Sequence, residues 1–211
     1  MQLLLYILFY PILWLISILP FPVFYLFSDF VCFLTYRIIG YRKKTVRENL
    51  ALALPHLSEK ERRTIEKKFY SHLCDLFLEM IKTLTISQKE IEKRFTFSNF
   101  DVYLELEKKN KSIAVLCAHY ASYEWVVSMN YHINCKGFGI YKKLANPHFD
   151  KLVKRIRSKF KAELITTKET IPTITENYKN NVMSLYGFAS DQSPRPNSAH
   201  HSASFMGHVV P

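Results

Sequence analysis

His119 and Glu124 are the side chains whose types and spacing could do chemistry. Ser112-Ile-Ala-Val-Leu-Cys-Ala118 has the composition of a buried strand, and His119 stands at its end. In open parallel sheets, ligands bind beyond the carboxyl ends of the strands. Glu124 falls in the first turn of a helix that follows, where the helix dipole favours a carboxylate, and that turn can fold it back onto the imidazole. A carboxylate on one ring nitrogen fixes the tautomer and leaves the other nitrogen as a base. Such a pair would deprotonate an alcohol as it attacks an acyl carbonyl, for a gain of about 10²–10⁴-fold in rate, with no Ser or Cys nucleophile. The plainer alternative is a strand-end histidine bonded to backbone, with Glu124 on a solvated face. Cys117 belongs to the apolar strand and is poorly placed to be a thiolate.

The surrounding pattern supplies elements to hold this pair. Short apolar runs alternate with helical segments from Phe95 onward. Strands are expected at Phe95–Ser98, Ser112–Ala118, Gly137–Lys142, Ala162–Thr166 and Val182–Phe188. Helices are expected at Phe100–Lys109, Ala121–His132, Pro147–Phe160 and Ile171–Lys179, with Asn146-Pro147 as N-cap and first helical residue and Thr170 as a further cap. The alternation predicts an α/β fold, a mainly parallel sheet flanked by helices. Ahead of it, Ser58-x-x-Glu61 has the form of a capping box, and Ile65, Phe69, Leu73, Leu76, Met80 and Leu84 form one apolar helix face behind it. Ser87 and Glu90 repeat the box for a shorter helix.

No charged side chain occurs between Met1 and Asp29, and the apolar character resumes after Pro20 and Pro22 as far as Leu34. No basic stretch precedes the run and no small-x-small site follows it, against a signal peptide. Pro11 interrupts a first run that is short of the roughly 20 apolar residues of a spanning helix, so a true span and a monotopic anchor both fit. Arg37, Arg42, Lys43, Lys44 and Arg47 follow with no acid before Glu48, a pattern that favours the cytoplasmic side and anionic head groups. The expected organisation is therefore a membrane anchor over residues 1–36 and a cytoplasmic domain over residues 37–211.

The net charge of +11 calls for anionic partners. Nucleic acid is disfavoured, because no recognition motif accompanies the charge and the N-terminus is long and uncharged. Eight basic residues lie between Lys142 and Lys161 with Asp150 as the one acid, and most form an ordinary solvated face. Arg157 differs: it borders the buried stripe of Phe149, Leu152, Val153, Ile156 and Phe160, where a guanidinium can reach an anionic ligand. His200, His201 and His208 have no Cys or acid at zinc-site spacing, and the four cysteines show no paired spacing, so neither a metal nor a disulfide is expected.

Several blocks, in order, resemble the late acyltransferases of bacterial lipid A biosynthesis, within the lysophospholipid acyltransferase group. They are Tyr41-Arg-Lys-Lys-Thr-Val-Arg-Glu-Asn-Leu50, Leu54-Pro55-His56-Leu57-Ser58, and Leu76-Phe-Leu-Glu-Met80. Then come His119-Tyr-Ala-Ser-Tyr-Glu-Trp125, Tyr141-Lys142-Lys143, Asn146-Pro-His-Phe-Asp150 with Arg157, Asp191-Gln192-Ser193-Pro194, and Phe205-Met206-Gly207. The resemblance implies the fold of the glycerol-3-phosphate and lysophospholipid acyltransferases. It implies transfer of a fatty acyl chain from an acyl carrier protein or coenzyme A thioester to a hydroxyl of a membrane glycolipid, at the inner membrane and facing the cytoplasm. It makes His119 the base and Glu124 its partner, with Arg157, Lys142, Asp191 and Gln192 on the substrate side and neither metal nor cofactor. Lys142 stands where the family often has arginine, and meets phosphate as a point charge without the bidentate fork. A lipid A precursor is the default acceptor, and an ornithine lipid or other aminolipid would suit the same residues. Family members usually continue past the Phe-x-Gly block, so an incomplete C-terminal part is expected, and with it the alternative of a non-catalytic protein that binds lipid or a partner.

Overall fold

In the computed structural model, which describes residues 1–192 and 201–210, two parallel strands that are far apart in sequence lie side by side and carry the candidate site. The sheet has four strands: β1 (Ile113–Cys117), β2 (Lys136–Tyr141), β3 (Glu163–Thr166) and β4 (Ser184–Ala189). Their order is β1-β4-β2-β3 and all pairs are parallel. Helices are interleaved with the strands, as parallel pairing demands of the crossovers. The fold is α/β, a parallel sheet flanked by helices.

The chain forms two compact units. The first joins Met1–Ile18 to Met80–Asp191 and contains the sheet. One sheet face buries Phe138, Ile165 and Tyr186, packed against Ile140, Phe188 and, from α8 (Thr170–Lys179), Ile174. The Phe138 and Tyr186 rings stack at 5.2 Å, and the Tyr186 hydroxyl accepts a hydrogen bond from Asn177 at 2.8 Å, so the buried phenol is not left unpaired. Gly137 is required at its place in β2: a Cβ there would sit 1.6 Å from Asn130 Oδ1. α7 (Pro147–Ser158) starts as its sequence foretells, with Asn146 Oδ1 accepting from the His148 amide at 2.9 Å. Its Leu152 and the following Phe160 are buried. Lys159 does not join the solvated basic face. Its Nζ donates to the carbonyls of Thr83, Leu84 and Ile86, and burial lowers its pKa. α1 (Gln2–Ile18) packs against the start of α7, with the Tyr6 ring 5.4 Å from Phe149 and 5.7 Å from His148.

Three sequence expectations differ from the structure. Phe95–Ser98 is not a strand: Phe95 caps α5 (Gln88–Arg94), and Phe97 packs its ring against Phe95, Phe100 and His132. A short apolar run can bury itself through an aromatic cluster as well as through a ladder, and periodicity cannot separate the two. The expected helix Ala121–His132 is tighter and shorter, a 3-10 helix over Tyr123–Tyr131. The cap foreseen at Thr170 falls on Glu169, and the Thr170 hydroxyl instead donates to the Thr166 carbonyl at 3.0 Å.

The second unit comprises Leu19–Glu79 and a two-stranded antiparallel hairpin, β5 (Ala203–Phe205) with β6 (His208–Val210). α2 (Phe21–Phe33) runs on into a π-helical turn to Ile39, giving 19 residues long and apolar enough to cross a membrane. α3 (Lys43–Ala53) is tied to α4 (Glu59–Lys82) by Arg47, whose guanidinium donates to the buried Glu66 carboxylate at 3.0 Å. One member of the basic cluster therefore has a structural partner. The foreseen capping box forms reciprocally at the start of α4: the Ser58 amide donates to Glu61 Oε2 at 2.8 Å, and the Glu61 amide to Ser58 Oγ at 3.3 Å.

Candidate active site

The site is a product of strand register. β1 and β4 are paired so that Cys117 stands opposite Ala189. Two residues further along each chain come His119 and Asp191, and the Ser190 amide still donates to the Cys117 carbonyl at 3.0 Å, which keeps the chains together past the ladder. Asp191 then meets His119 twice. Its Oδ2 accepts from the His119 amide at 3.0 Å, and its Oδ1 lies 2.7 Å from His119 Nδ1. An ionised carboxylate only accepts, so this contact places the proton on Nδ1. The two hydrogen bonds from His119 hold the Asp191 carboxyl below the usual carboxylate range. Both side chains are about one third exposed, so the pair is reachable from outside.

After His119 the chain turns sharply. Ala121 takes a left-handed conformation (φ 50°), and the Tyr123 amide donates to the Ala121 carbonyl at 2.8 Å, closing an inverse γ-turn about Ser122. The turn feeds the 3-10 helix, which buries Trp125 and swings Tyr123 back so that its ring meets the His119 ring edge-to-face at 4.7 Å.

Among the described contacts, the carboxylate on the imidazole is that of Asp191, and the contacts of Glu124 run to Arg157. Its carboxylate faces α7, where Arg157 grips it through three contacts: Nε to Oε2 at 3.0 Å, and Nη2 to Oε1 at 2.6 Å and to Oε2 at 2.7 Å. The pair is largely enclosed, with the side chains 11% and 23% exposed. Arg157 does border the buried stripe of its helix, as its spacing implies, but its fork is engaged by a protein carboxylate. Sequence spacing put Glu124 within one turn of His119, and between them lie the γ-turn about Ser122 and the start of the 3-10 helix. Burial, then the Glu124 charge, raise the Tyr123 hydroxyl above its ordinary range, with Arg157 opposing.

Of the remaining sequence candidates, Lys142 follows the last residue of β2 and is exposed at the same carboxyl edge of the sheet. Among the described contacts none joins it to His119, Glu124, Arg157 or Asp191. Gln192 follows Asp191 directly, while Ser193, Pro194 and His200 lie outside the described residues. Cys117 keeps its proton, because burial and then the Asp191 charge raise its pKa. Among the described residues no group of three or more His, Cys, Asp or Glu is arranged to hold a metal ion.

Sequence reasoning did not foresee the His119–Asp191 contact or the part of Tyr123. The signal available for the first was position: each residue stands just past the carboxyl end of a strand. What the sequence lacked was the strand order that makes β4 the neighbour of β1.

The lipid A biosynthesis lauroyltransferase of Escherichia coli (strain K12) is 24% identical to the chain over 184 residues, 87% of this chain and 60% of that protein. The chain thus spans about 60% of the length of the curated relative it matches. The family model described as bacterial lipid A biosynthesis acyltransferase matches residues 2–207, nearly the whole length, and the chain belongs to that family.

Proposed function

We propose that the protein transfers a fatty acyl chain from a thioester donor, acyl carrier protein or coenzyme A, to a hydroxyl of a membrane glycolipid, with a lipid A precursor as acceptor. His119 is the general base. Asp191 holds the ring in the Nδ1-protonated tautomer, and Nε2 takes the proton of the acceptor hydroxyl as its oxygen attacks the thioester carbonyl. The imidazolium so formed is stabilised by the Asp191 carboxylate. Collapse of the tetrahedral intermediate breaks the C–S bond, and the proton passes from Nε2 to the departing thiolate. The products are an ester and a free thiol. The Glu124–Arg157 pair ties the 3-10 helix after His119 to α7, and Lys142 at the carboxyl edge of the sheet suits an acceptor phosphate.

The observation that carries the reading is the 2.7 Å contact between His119 Nδ1 and Asp191 Oδ1 at the carboxyl ends of adjacent parallel strands. The apolar stretch Phe21–Ile39, followed by a basic cluster, supports work at an inner-membrane surface with the catalytic part facing the cytoplasm. The test is transfer of a labelled acyl group from acyl carrier protein to a lipid A precursor in detergent micelles, comparing the parent with His119→Ala. Product from the parent and none from the variant supports the proposal. No transfer by the folded parent to any hydroxylated lipid would favour a non-catalytic lipid-binding role.

A further inference from the structure

We propose that α1 lies in the plane of an anionic membrane surface as part of the sheet unit, without crossing the bilayer, and that it holds the carboxyl edge of the sheet at the head groups. The consequence for catalysis rests on the acyl-transfer reading of the site. The placement of α1 does not.

α1 is fixed to the sheet unit at both ends. At its start the Gln2 carbonyl accepts from Asn146 Nδ2 at 3.1 Å, while Asn146 Oδ1 caps α7. One turn on, the Tyr6 ring meets His148 and Phe149 in the first turn of α7. At its end the Ser17 carbonyl, an orphan of the last helical turn, accepts from Lys82 Nζ at 2.7 Å and from the Thr85 hydroxyl. Lys159, just past α7, donates to carbonyls of the same segment, so α1 runs alongside α7 from one end to the other. Held in this way, α1 could cross a bilayer only by carrying Lys82 and its neighbours into hydrocarbon.

The docking makes α1 two-sided, although its sequence is apolar all round. Tyr6, Tyr10, Leu13 and Ser17 recur at spacings of four, three and four on the protein side, and Ser17 is fully buried. Leu4, Leu8 and Leu15 fall on the opposite side of the helix and are 71%, 61% and 56% exposed. No charge interrupts this face. A helix that is apolar all round needs cover on every side, and an exposed apolar face of this kind marks an interaction surface.

A bilayer is the occupant that fits. The loop that Asn146 ties to the start of α1 carries the exposed Lys142 and Lys143, so cations border the apolar face at that end. An apolar helix face with lysines at its margin suits acyl chains beneath it and anionic head groups beside it. A second copy of α1 would cover the leucines but offer those lysines no anion. The chain that follows α1 is long and apolar enough to cross a membrane. The same loop leaves β2 at the carboxyl edge, where His119 and Asp191 stand beyond β1 and β4. An in-plane α1 therefore puts the base at the level of the head groups, where a lipid acceptor reaches it by lateral diffusion.

The experiment reads depth and not turnover. The full chain is reconstituted in vesicles of phosphatidylglycerol and phosphatidylcholine, brominated near the head groups or near the acyl ends, with one tryptophan as reporter. Trp125→Phe leaves Trp14 as that reporter with α1 unaltered. Leu4→Trp, Leu8→Trp and Leu15→Trp, each combined with Trp14→Phe and Trp125→Phe, move it along the exposed face. Expected at all four positions is quenching about two-fold or more stronger from the shallow bromines than from the deep ones, as for a helix about 5–10 Å into the boundary. Omitting phosphatidylglycerol should weaken quenching at Leu4→Trp, beside the lysines, more than at Leu15→Trp. Equal weakening at both would overturn the part given to the lysines. Deep quenching at Leu8→Trp between two shallow ends is the pattern of a span and would overturn the proposal. So would quenching by aqueous iodide alone, which puts the face in water, or by neither agent, which puts it against protein. Absence of acyl transfer by a protein whose α1 is uniformly shallow would remove the reading of the site and leave this placement standing.

Discussion

Breaking the Arg157–Glu124 pair should destabilise the sheet unit more than it alters any surface property. Arg157→Ala would leave the Glu124 carboxylate, 11% exposed, without its three short contacts. Removing one partner of a fully buried ion pair costs roughly 3–5 kcal/mol, because the remaining charge stays desolvated. Arg157 is 23% exposed, so water can reach the vacated position and the cost belongs at the lower end, about 3 kcal/mol. Glu124→Gln removes the charge instead. The double variant should therefore be less damaged than the two single costs predict, by on the order of 1–3 kcal/mol of coupling. Trp125 is the next residue and is buried, so its fluorescence reports this region in urea titrations, and Trp14→Phe removes the other tryptophan signal. An Arg157→Ala midpoint equal to the parent's, or strictly additive single and double variants, would refute the clamp as a structural pair.

Four other outcomes follow from the same geometry. Gly137→Ala should destabilise by roughly 1–3 kcal/mol, since its Cβ would fall 1.6 Å from Asn130 Oδ1, and Asn130→Ala should recover most of the loss in thermal melts. Ser58→Ala should cost about 1 kcal/mol through the reciprocal cap it forms with Glu61, seen as lower helicity and an earlier denaturation midpoint. Because His119 depresses the native Asp191 pKa, the contribution of this contact to stability is full above the unfolded carboxylate range near pH 4 and fades as pH falls through the depressed native value. The urea midpoints of parent and Asp191→Asn should accordingly converge only below that range, and a gap independent of pH would contradict it. Finally, the chain should sediment with anionic vesicles through its apolar helices and the exposed Arg37, Arg42 and Lys44, and recovery as a soluble monomer without detergent would oppose this.

Much of the fold was legible because its signals are local. The apolar run before His119, the Asn146-Pro147 start and the Ser58–Glu61 box each specify an element within a few residues, and each element forms where expected. Phe95–Ser98 was misread because the alternation Phe-Thr-Phe-Ser is too short to tell a ladder from an aromatic cluster. His119, Glu124, Arg157 and Asp191 were all singled out, and the structure gathers them into two pairs. Their pairing was not legible, since it depends on two non-local facts: the insertion of β4 between β1 and β2, and the direction in which a left-handed Ala121 sends the following helix. Tyr123 was missed altogether. Its ring lies against His119, a contact that nothing in the spacing of Tyr123 announces.

The most direct test of the account is the rate of acyl transfer to a lipid acceptor by parent, His119→Ala and Asp191→Asn proteins, with folding confirmed by circular dichroism. If the His119–Asp191 contact is the catalytic pair, His119→Ala should lose about 10²–10⁴-fold in kcat. Asp191→Asn should keep the fold and lose up to about 10⁴-fold, because the amide can favour the wrong imidazole tautomer. A folded His119→Ala protein that transfers acyl groups at the parental rate would contradict the account.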